Sequence, residues 1–239
     1  MSSEVLWLIL LAANFAAVML AFRFFGRTGL VAWMVVSVIA ANIQVTKTIE
    51  LFGITATLGN IVYATSFLIT DIFSENYGIR AARRVVVIGF GAIVGFTLIM
   101  QLALFFAPAE SDFAHDSLRT IFGILPRIAA ASLLAYLVSQ LHDVWAYALW
   151  KRLAPAENKI WIRNNASTLV SQLIDSIIFV VVAFLGVFSL GVLLEVLLTT
   201  YVLKVIVAAA DTPFVYWATR WVRNDVIRES AAVSEDRII

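Results

Sequence analysis

The sequence predicts an all-α integral membrane protein, a polytopic bundle of seven transmembrane helices. Hydrophobic residues make up 62% of the 239 residues and charged residues only 14%, whereas a soluble domain is usually about half apolar and a quarter charged. The apolar residues lie in long blocks, near or above the roughly 20 residues that cross a bilayer as a helix. A membrane β-barrel would show alternation instead.

Seven apolar blocks follow one another along the chain, and each predicts one span. They cover residues 5–22, 30 to about 48, 54 to about 73, 85–107, 121–150, 166–187 and 190 to about 221. Glu4 and no basic residue precede the first block, which predicts an uncleaved span rather than a signal peptide. We expect one membrane domain over residues 1–239, with an additional N-terminal span at 1–28, a core at 29–222 and a cytoplasmic tail at 223–239.

Connections rich in Lys and Arg alternate with connections that are poor in both. The basic ones follow the first, third, fifth and seventh blocks, and their residues are Arg23, Arg27, Arg80, Arg83, Arg84, Lys151, Arg152, Lys159, Arg163, Arg220, Arg223 and Arg228. Because cytoplasmic loops carry the excess of basic residues, this pattern predicts an N-terminus outside and a C-terminus in the cytoplasm. The short connection at 49–53 then requires a tight hairpin.

The stretch FLITDIFSENYG, residues 67–78, places acidic residues at the end of an apolar block. Asp71 and Glu75 are spaced i,i+4, so a helix puts both carboxylates on one face. Charge near bilayer depth is costly, so these groups should face protein or a water-filled cavity. Two interpretations stay open: they pair with nearby arginines such as Arg83, or they line a substrate path.

Further polar residues recur at similar depth in several other blocks. They are Asn42, Tyr63, Gln140, Asp143, Gln172, Asp175, Lys204 and Asp211. Helical spacing puts Gln172 and Asp175 on one face together with Thr168, and Lys204 and Asp211 on another. Such a set favours a solute cavity over a purely structural bundle. Asp175 and Lys204 alone could instead be a buried ion pair that fixes helix packing.

Three other features carry structural interpretations. Arg127 lies near the outer end of the fifth block, where it could be an interfacial anchor, and Pro213 removes a helical donor and should loosen the end of the seventh helix. Gly91 and Gly95 form a small-xxx-small pair on the fourth block. We expect that pair to pack inside the bundle, and a homodimer contact is the alternative.

Composition excludes several kinds of site. The chain has no cysteine and two histidines, His115 and His142, so disulfides, Cys-ligated metals and a His-rich metal cluster are excluded. It has no glycine-rich phosphate loop and no basic patch with interleaved aromatic residues. We expect no metal, no cofactor, no nucleic-acid partner and no enzymatic activity, since neither histidine is placed in the polar cluster.

Four stretches, TDIFSENYGIRAAR, PRIAAASLLAYLVSQLHDVWAYALWK, WIRNNASTLVSQLIDSIIFVVVAFLG and YVLKVIVAAADTPFVYW, resemble the queuosine precursor transporter family. That family was formerly labelled as vitamin uptake transporters. The stretches follow the family order from about the second span to Trp217, which implies a six-helix core plus an N-terminal helix. The positions that match family motifs are Asp71, Arg83, Arg127, Gln140, Asp143, Thr168, Asp175 and Lys204.

The resemblance implies import of 7-deazapurines, the 7-cyano- and 7-aminomethyl-7-deazaguanine precursors of queuosine, across the bacterial inner membrane. A carboxylate such as Asp175 or Asp71 could accept from the N–H groups of a guanine-like edge. Its carbonyl oxygen suits a donor from Lys204, Asn42 or Gln140, and its flat ring suits stacking on Tyr63 or Phe67. Two alternatives remain: a substrate-capturing membrane subunit that depends on a separate ATPase, and a transporter of another small heterocyclic, vitamin-like solute.

Overall fold

The computed structural model describes residues 1–153 and 160–227, which form two compact units. Of the described residues, unit 1 comprises 1–41, 61–93 and 207–227, and unit 2 comprises 42–60, 94–153 and 160–206. The predicted cytoplasmic tail from residue 228 onward lies outside the described residues.

Helix α1 (Ser3–Gln44) contains the first two apolar blocks. Its 42 residues correspond to about 63 Å of helix, roughly twice the thickness of the hydrocarbon core. Gly26 interrupts the helical backbone with φ 57° and ψ −140°. Glycine tolerates this conformation because it has no Cβ. The kink therefore divides α1 at the position where the sequence separates two spans.

A β-hairpin follows α1 and replaces the predicted start of the third helix. Strand β1 (Thr48–Leu51) pairs antiparallel with β2 (Ile54–Thr57), and the turn residues Phe52 and Gly53 have φ of 52° and 75°. Two positive φ values are typical of the tight turns that match strand twist. The prediction that the third helix begins at Ile54 is therefore wrong, because the β-branched residues on either side of the turn suit paired strands.

The remaining elements are helices. They are α2 (Gly59–Tyr77), α3 (Ile79–Leu104), α4 (His115–Phe122), α5 (Leu125–Leu153), α6 (Ile160–Phe184) and α7 (Leu190–Arg223). Gly78, at φ 85°, makes the turn between α2 and α3. The predicted fifth block at 121–150 is divided, since its first residues belong to the short helix α4 and α5 begins only at Leu125.

Four helical segments among the described residues are long and apolar enough to cross a membrane. They are Ser3–Gln44, Arg80–Leu104, His115–Ser139 and Leu190–Val207, and Leu169–Phe184 is a shorter apolar helix. The protein is thus mostly helical and consistent with an all-α membrane protein. The count of seven spans stays a prediction.

Each unit has its own packing. In unit 1, the rings of Phe15 and Phe214 lie 4.8 Å apart, and the hydroxyl of Thr65 on α2 donates to that of Ser37 on α1 at 3.0 Å. The core of unit 2 is apolar and is formed by Val45, Ile128, Ala131, Val180, Ala183, Phe184, Leu193 and Val196. These residues bring α5, α6 and the first half of α7 together.

The structure bears on two further expectations. Helix α7 continues through Pro213 to Arg223, and the loosening of its end by Pro213 stays a prediction. A Cβ added at Gly91 or Gly95 would meet no heavy atom within 4 Å in the described structure, so this glycine pair does not make the close contact expected inside the bundle. The homodimer stays a prediction.

Candidate functional site

A buried ion pair lies in unit 2 between α6 and α7. Lys204 Nζ donates to Asp175 Oδ2, and the two residues are only 5% and 7% exposed. Ser139 Oγ on α5 donates to the other carboxylate oxygen, Oδ1, at 3.4 Å. A buried charge must be paired and hydrogen-bonded, or its desolvation costs several kcal/mol. Three helices therefore converge on one carboxylate.

A second polar contact lies one helical turn along from this pair. His142 Nδ1 on α5 is 3.0 Å from Ser171 Oγ on α6. Ser171 precedes Asp175 by one turn, and His142 follows Ser139 by one turn. The prediction that both histidines lie outside the polar cluster is therefore wrong for His142. The i,i+3 spacing of Ser139 and His142 on a long apolar helix is the signal that could have indicated it.

Buried polar groups also continue from the ion pair toward the hairpin. Ser132 Oγ donates to Asn42 Oδ1 at 3.1 Å, and Ser132 precedes Ser139 by two turns of α5. Asn60 Nδ2 donates to Thr200 Oγ1 at 3.0 Å, one turn before Lys204 on α7. The partner of Asn42 thus lies about 10 Å along α5 from Ser139, so a place for Asn42 beside the pair stays a prediction. Ser132, Asn60 and Thr200 were not among the predicted site residues. Hydroxyl groups in apolar helices give little sequence signal, because they also bond their own backbone.

Gln172 offers an acceptor beside the ion pair. Its Oε1 atom is buried, and no hydrogen-bond donor reaches it within the described part of the chain. The residue lies one turn before Asp175 on α6, as the sequence spacing predicts. A buried amide oxygen without a donor is costly, so this position suits a solute that brings an N–H group.

A second set of predicted residues lies in unit 1. The rings of Tyr63 and Phe67 meet edge to face, with centroids 5.4 Å apart. Asp211 on α7 is 3% exposed, and among the described residues no donor reaches its Oδ2 atom. Asp71 on α2 belongs to the same unit. Unit 1 thus contains a pair of aromatic rings and the two acids Asp71 and Asp211.

The contacts of the acidic stretch do not show the pairing with arginines that one of its two interpretations predicts. Asp71 and Glu75 are both exposed, and neither forms an ion pair with Arg80, Arg83 or Arg84 in the part of the chain that the structure describes. A role of the two carboxylates in a substrate path stays a prediction. Arg83 is exposed as well, and its predicted gating role stays a prediction.

Arg127 has a structural role that explains its position. Its Nε donates to the carbonyl of Val182 and its Nη2 to that of Leu185, both at 2.6 Å. These carbonyls belong to the end of α6, where backbone acceptors lack helical donors and a cation is favourable. Arg127 therefore fixes the end of α6 against the start of α5.

Three predicted site residues cannot be placed. The side chains of Gln140, Asp143 and Thr168 lie outside the described part of the structure. Among the described residues, no group of three or more His, Asp or Glu side chains could hold a metal ion.

Comparisons with known proteins show the family of this chain. A family described as "Putative vitamin uptake transporter" matches residues 57–218. A "Probable queuosine precursor transporter" of Bacillus subtilis is 43% identical over 219 residues, which cover 92% of this chain and 96% of that protein. This chain belongs to the queuosine precursor transporter family. The "Queuosine precursor transporter" of Escherichia coli is 27% identical over 71% of this chain and 75% of its own length. No solved structure matches the chain.

Membership of the queuosine precursor transporter family makes the chain a multi-pass membrane protein. The family match at 57–218 includes the ion pair of Asp175 and Lys204 and the acids Asp71 and Asp211. The whole of α1, including Asn42, precedes it. The division into an added N-terminal span and a six-helix core therefore stays a prediction.

Proposed function

We propose that this protein imports queuosine precursors, 7-cyano- and 7-aminomethyl-7-deazaguanine, across the bacterial inner membrane. The similarity over 96% of the Bacillus subtilis relative supports a transporter of this class. The buried pair of Asp175 and Lys204 is the observation on which the proposed site depends. It presents a strong acceptor and a strong donor side by side inside an apolar helical unit.

The chemistry of a deazaguanine complements this pair. Its ring N–H and 2-amino groups donate along one edge, and its carbonyl oxygen accepts next to them. A carboxylate accepts two parallel N–H bonds well, and an ammonium group donates to a carbonyl oxygen. Asp175 therefore takes the donor groups and Lys204 the carbonyl, so that the ion pair is exchanged for two contacts with the substrate.

Neighbouring groups extend this recognition. Gln172 Oε1 supplies a further acceptor for the 2-amino group, and Asn42, which contacts Ser132 on α5, stays a proposed contact. The position of Gln140 and Asp143 on α5 keeps both as proposed contacts. Taken by itself, unit 1 carries the acids Asp71, Glu75 and Asp211, which stay proposed contacts for an aminomethyl cation. The flat ring of a substrate in unit 1 packs against Tyr63 and Phe67.

Reconstitution in liposomes tests this proposal and separates its alternatives. Purified protein should accumulate labelled 7-cyano-7-deazaguanine, and excess unlabelled deazaguanine should compete more strongly than other heterocyclic vitamins. Uptake without ATP or partner proteins identifies a self-sufficient transporter. Uptake that appears only after an ATPase is added identifies a capturing subunit, and competition by a different vitamin with no effect of deazaguanine contradicts the substrate assignment.

The proposed orientation has its own test. We propose an N-terminus outside and a C-terminus in the cytoplasm, because basic residues recur in alternate connections. The chain has no cysteine, so single cysteines at Ser3 and Ser234 report the side of each terminus. A membrane-impermeant maleimide should label S3C and not S234C in intact spheroplasts. Equal labelling of both would contradict an odd number of spans.

A further inference from the structure

The β1–β2 hairpin is fastened to α7 through the backbone of one residue, Thr55. Its N–H donates to Glu195 Oε2 at 3.0 Å, and its carbonyl accepts from Thr199 Oγ1 at 3.1 Å. Glu195 and Thr199 are spaced i,i+4, so they lie on one face of α7. They bond the edge of β2 that faces away from β1, in the manner of a neighbouring strand. We call these two contacts the Thr55 latch.

A second attachment lies at the end of the hairpin and is buried. Asn60 Nδ2 donates to Thr57 Oγ1 at 3.1 Å and to Thr200 Oγ1 at 3.0 Å. Asn60, Thr57 and Thr200 are all buried. Thr200 and Lys204 share a face of α7 one turn apart. The hairpin is therefore connected to the same helical face that carries the ion pair.

The other end of the segment is also held. Asn42, just before β1, accepts from Ser132 on α5, and Val45 belongs to the apolar core of unit 2. Segment 42–60 thus bridges α5 and α7 at the end of unit 2 where α7 begins. The two buried attachments, at Asn42 and at Asn60, therefore lie between the Asp175–Lys204 pair and the end of unit 2 where α7 begins.

The strengths of the attachments differ. The bond from Thr55 to Glu195 is exposed, and Phe52 at the tip is 81% exposed. Water replaces an exposed hydrogen bond at little net cost, whereas a buried polar group that loses its partner is penalised. The bond from Thr199 to Thr55 is partly buried, but the Thr199 hydroxyl can donate instead to the carbonyl of Glu195 on its own helix, which lies 2.8 Å away. The tip and Thr55 can therefore separate from α7 more easily than Asn42 and Asn60 can lose their buried partners.

We propose that the β1–β2 hairpin is the gate at this end of the substrate path, with Glu195 and Thr199 as the residues that hold it closed. The proposal rests on the transport function. A transporter must close each end of its path in turn, and a short segment with fixed ends can open and close without unfolding its unit. Release of the Thr55 latch opens the polar route to Lys204, and its formation closes that route.

Crosslinking in this cysteine-free chain tests the gate. The variant T55C/T199C, joined by a short bismaleimide, fixes β2 to α7. Liposomes carrying the crosslinked protein should take up labelled 7-cyano-7-deazaguanine at least tenfold more slowly than the same protein before crosslinking. Its profile on size-exclusion chromatography should be unchanged. Uptake at the uncrosslinked rate, with crosslinking shown to be complete, would overturn the gate.

A matched control uses a crosslink that leaves α7 free. Leu51 and Ile54 are partners across the turn, so L51C/I54C joins the two strands to each other alone and should transport equally well with and without crosslinker. If uncrosslinked variants and unmodified protein all fail to transport, the proposed function falls and the gate with it. If they transport and only the T55C/T199C crosslink has no effect, the gate alone is wrong.

The rate at which a cysteine in β2 reacts with a maleimide gives a second test, because a hairpin with a purely structural role would not change this rate when substrate binds. Ala56 on β2 is fully buried, so A56C should react with an impermeant maleimide only when the hairpin opens. A saturating concentration of 7-cyano-7-deazaguanine should change the labelling rate at least threefold. Exposed Glu110, as E110C, should label at the same rate in both conditions. A rate at A56C that the substrate does not change would contradict a moving hairpin.

Discussion

Neutralising Asp175 separates a structural ion pair from a substrate contact. In Asp175→Asn the side chain keeps its shape and loses its charge, so buried Lys204 loses the carboxylate that it contacts. Removing one partner of a buried pair costs about 3–5 kcal/mol of stability. The substrate also loses a charged acceptor, and a hydrogen bond to a charged group contributes about 1.5–3 kcal/mol. Binding should therefore weaken by roughly 10- to 150-fold.

The second variant removes the other charge. In Asp175→Asn with Lys204→Met no unpaired charge remains, and replacing a buried ion pair by neutral groups of similar volume is often neutral for stability. We expect the double variant to regain most of the thermal stability that the single variant loses. We expect no recovery of binding, because neither the charged acceptor nor the donor for the substrate is restored.

Binding of labelled precursor to detergent-purified variants measures the loss of the substrate contact. Thermal unfolding with size-exclusion chromatography measures the loss of stability. Glu110→Gln is the matched control, since it removes an exposed carboxylate outside both clusters and should change neither quantity. Recovery of both binding and transport in the double variant would refute the reasoning. The pair would then be structural, and the site would lie elsewhere.

Three further predictions concern single positions. Arg127→Leu should lower the melting temperature slightly, because two carbonyls at the end of α6 lose a charged donor; an unchanged melting temperature would contradict the capping role. Gly26→Ala should destabilise by about 1–3 kcal/mol in thermal unfolding, since φ there is 57°, whereas Gly91→Ala should be neutral or slightly stabilising. Asp71→Ala should abolish uptake while membrane insertion, followed by immunoblot, persists; normal uptake would remove Asp71 from the substrate path.

The helices follow from hydrophobicity and therefore could be predicted. Long apolar blocks correspond to α3, α6 and α7, and the two blocks before residue 48 correspond to the halves of α1 on either side of Gly26. The hairpin could not be recognised in the same way. Its strands are four residues long and apolar enough to read as the start of the next span, and only the positive φ at Phe52 and Gly53 reveals the turn.

The ion pair could be predicted in part, because charged residues deep in apolar helices are rare and conspicuous in the sequence. An Asp and a Lys in the middle of two apolar blocks need partners, and the structure pairs Asp175 with Lys204. The sequence alone does not indicate which neutral side chains contact the charged residues and their neighbours. Ser139 and His142 approach Asp175 and Ser171 because α5 and α6 pack with a particular register. That register depends on apolar packing in unit 2, which has no signal in the polar residues themselves.

Uptake in cells tests the central claim most directly. A bacterial strain that cannot synthesise queuosine precursors and lacks its own transporter is given this protein and labelled 7-cyano-7-deazaguanine. The account predicts saturable accumulation of label that unlabelled precursor competes away and that Asp175→Asn strongly reduces. Accumulation no greater than in cells with an empty vector, with the protein shown to be in the membrane, would contradict it.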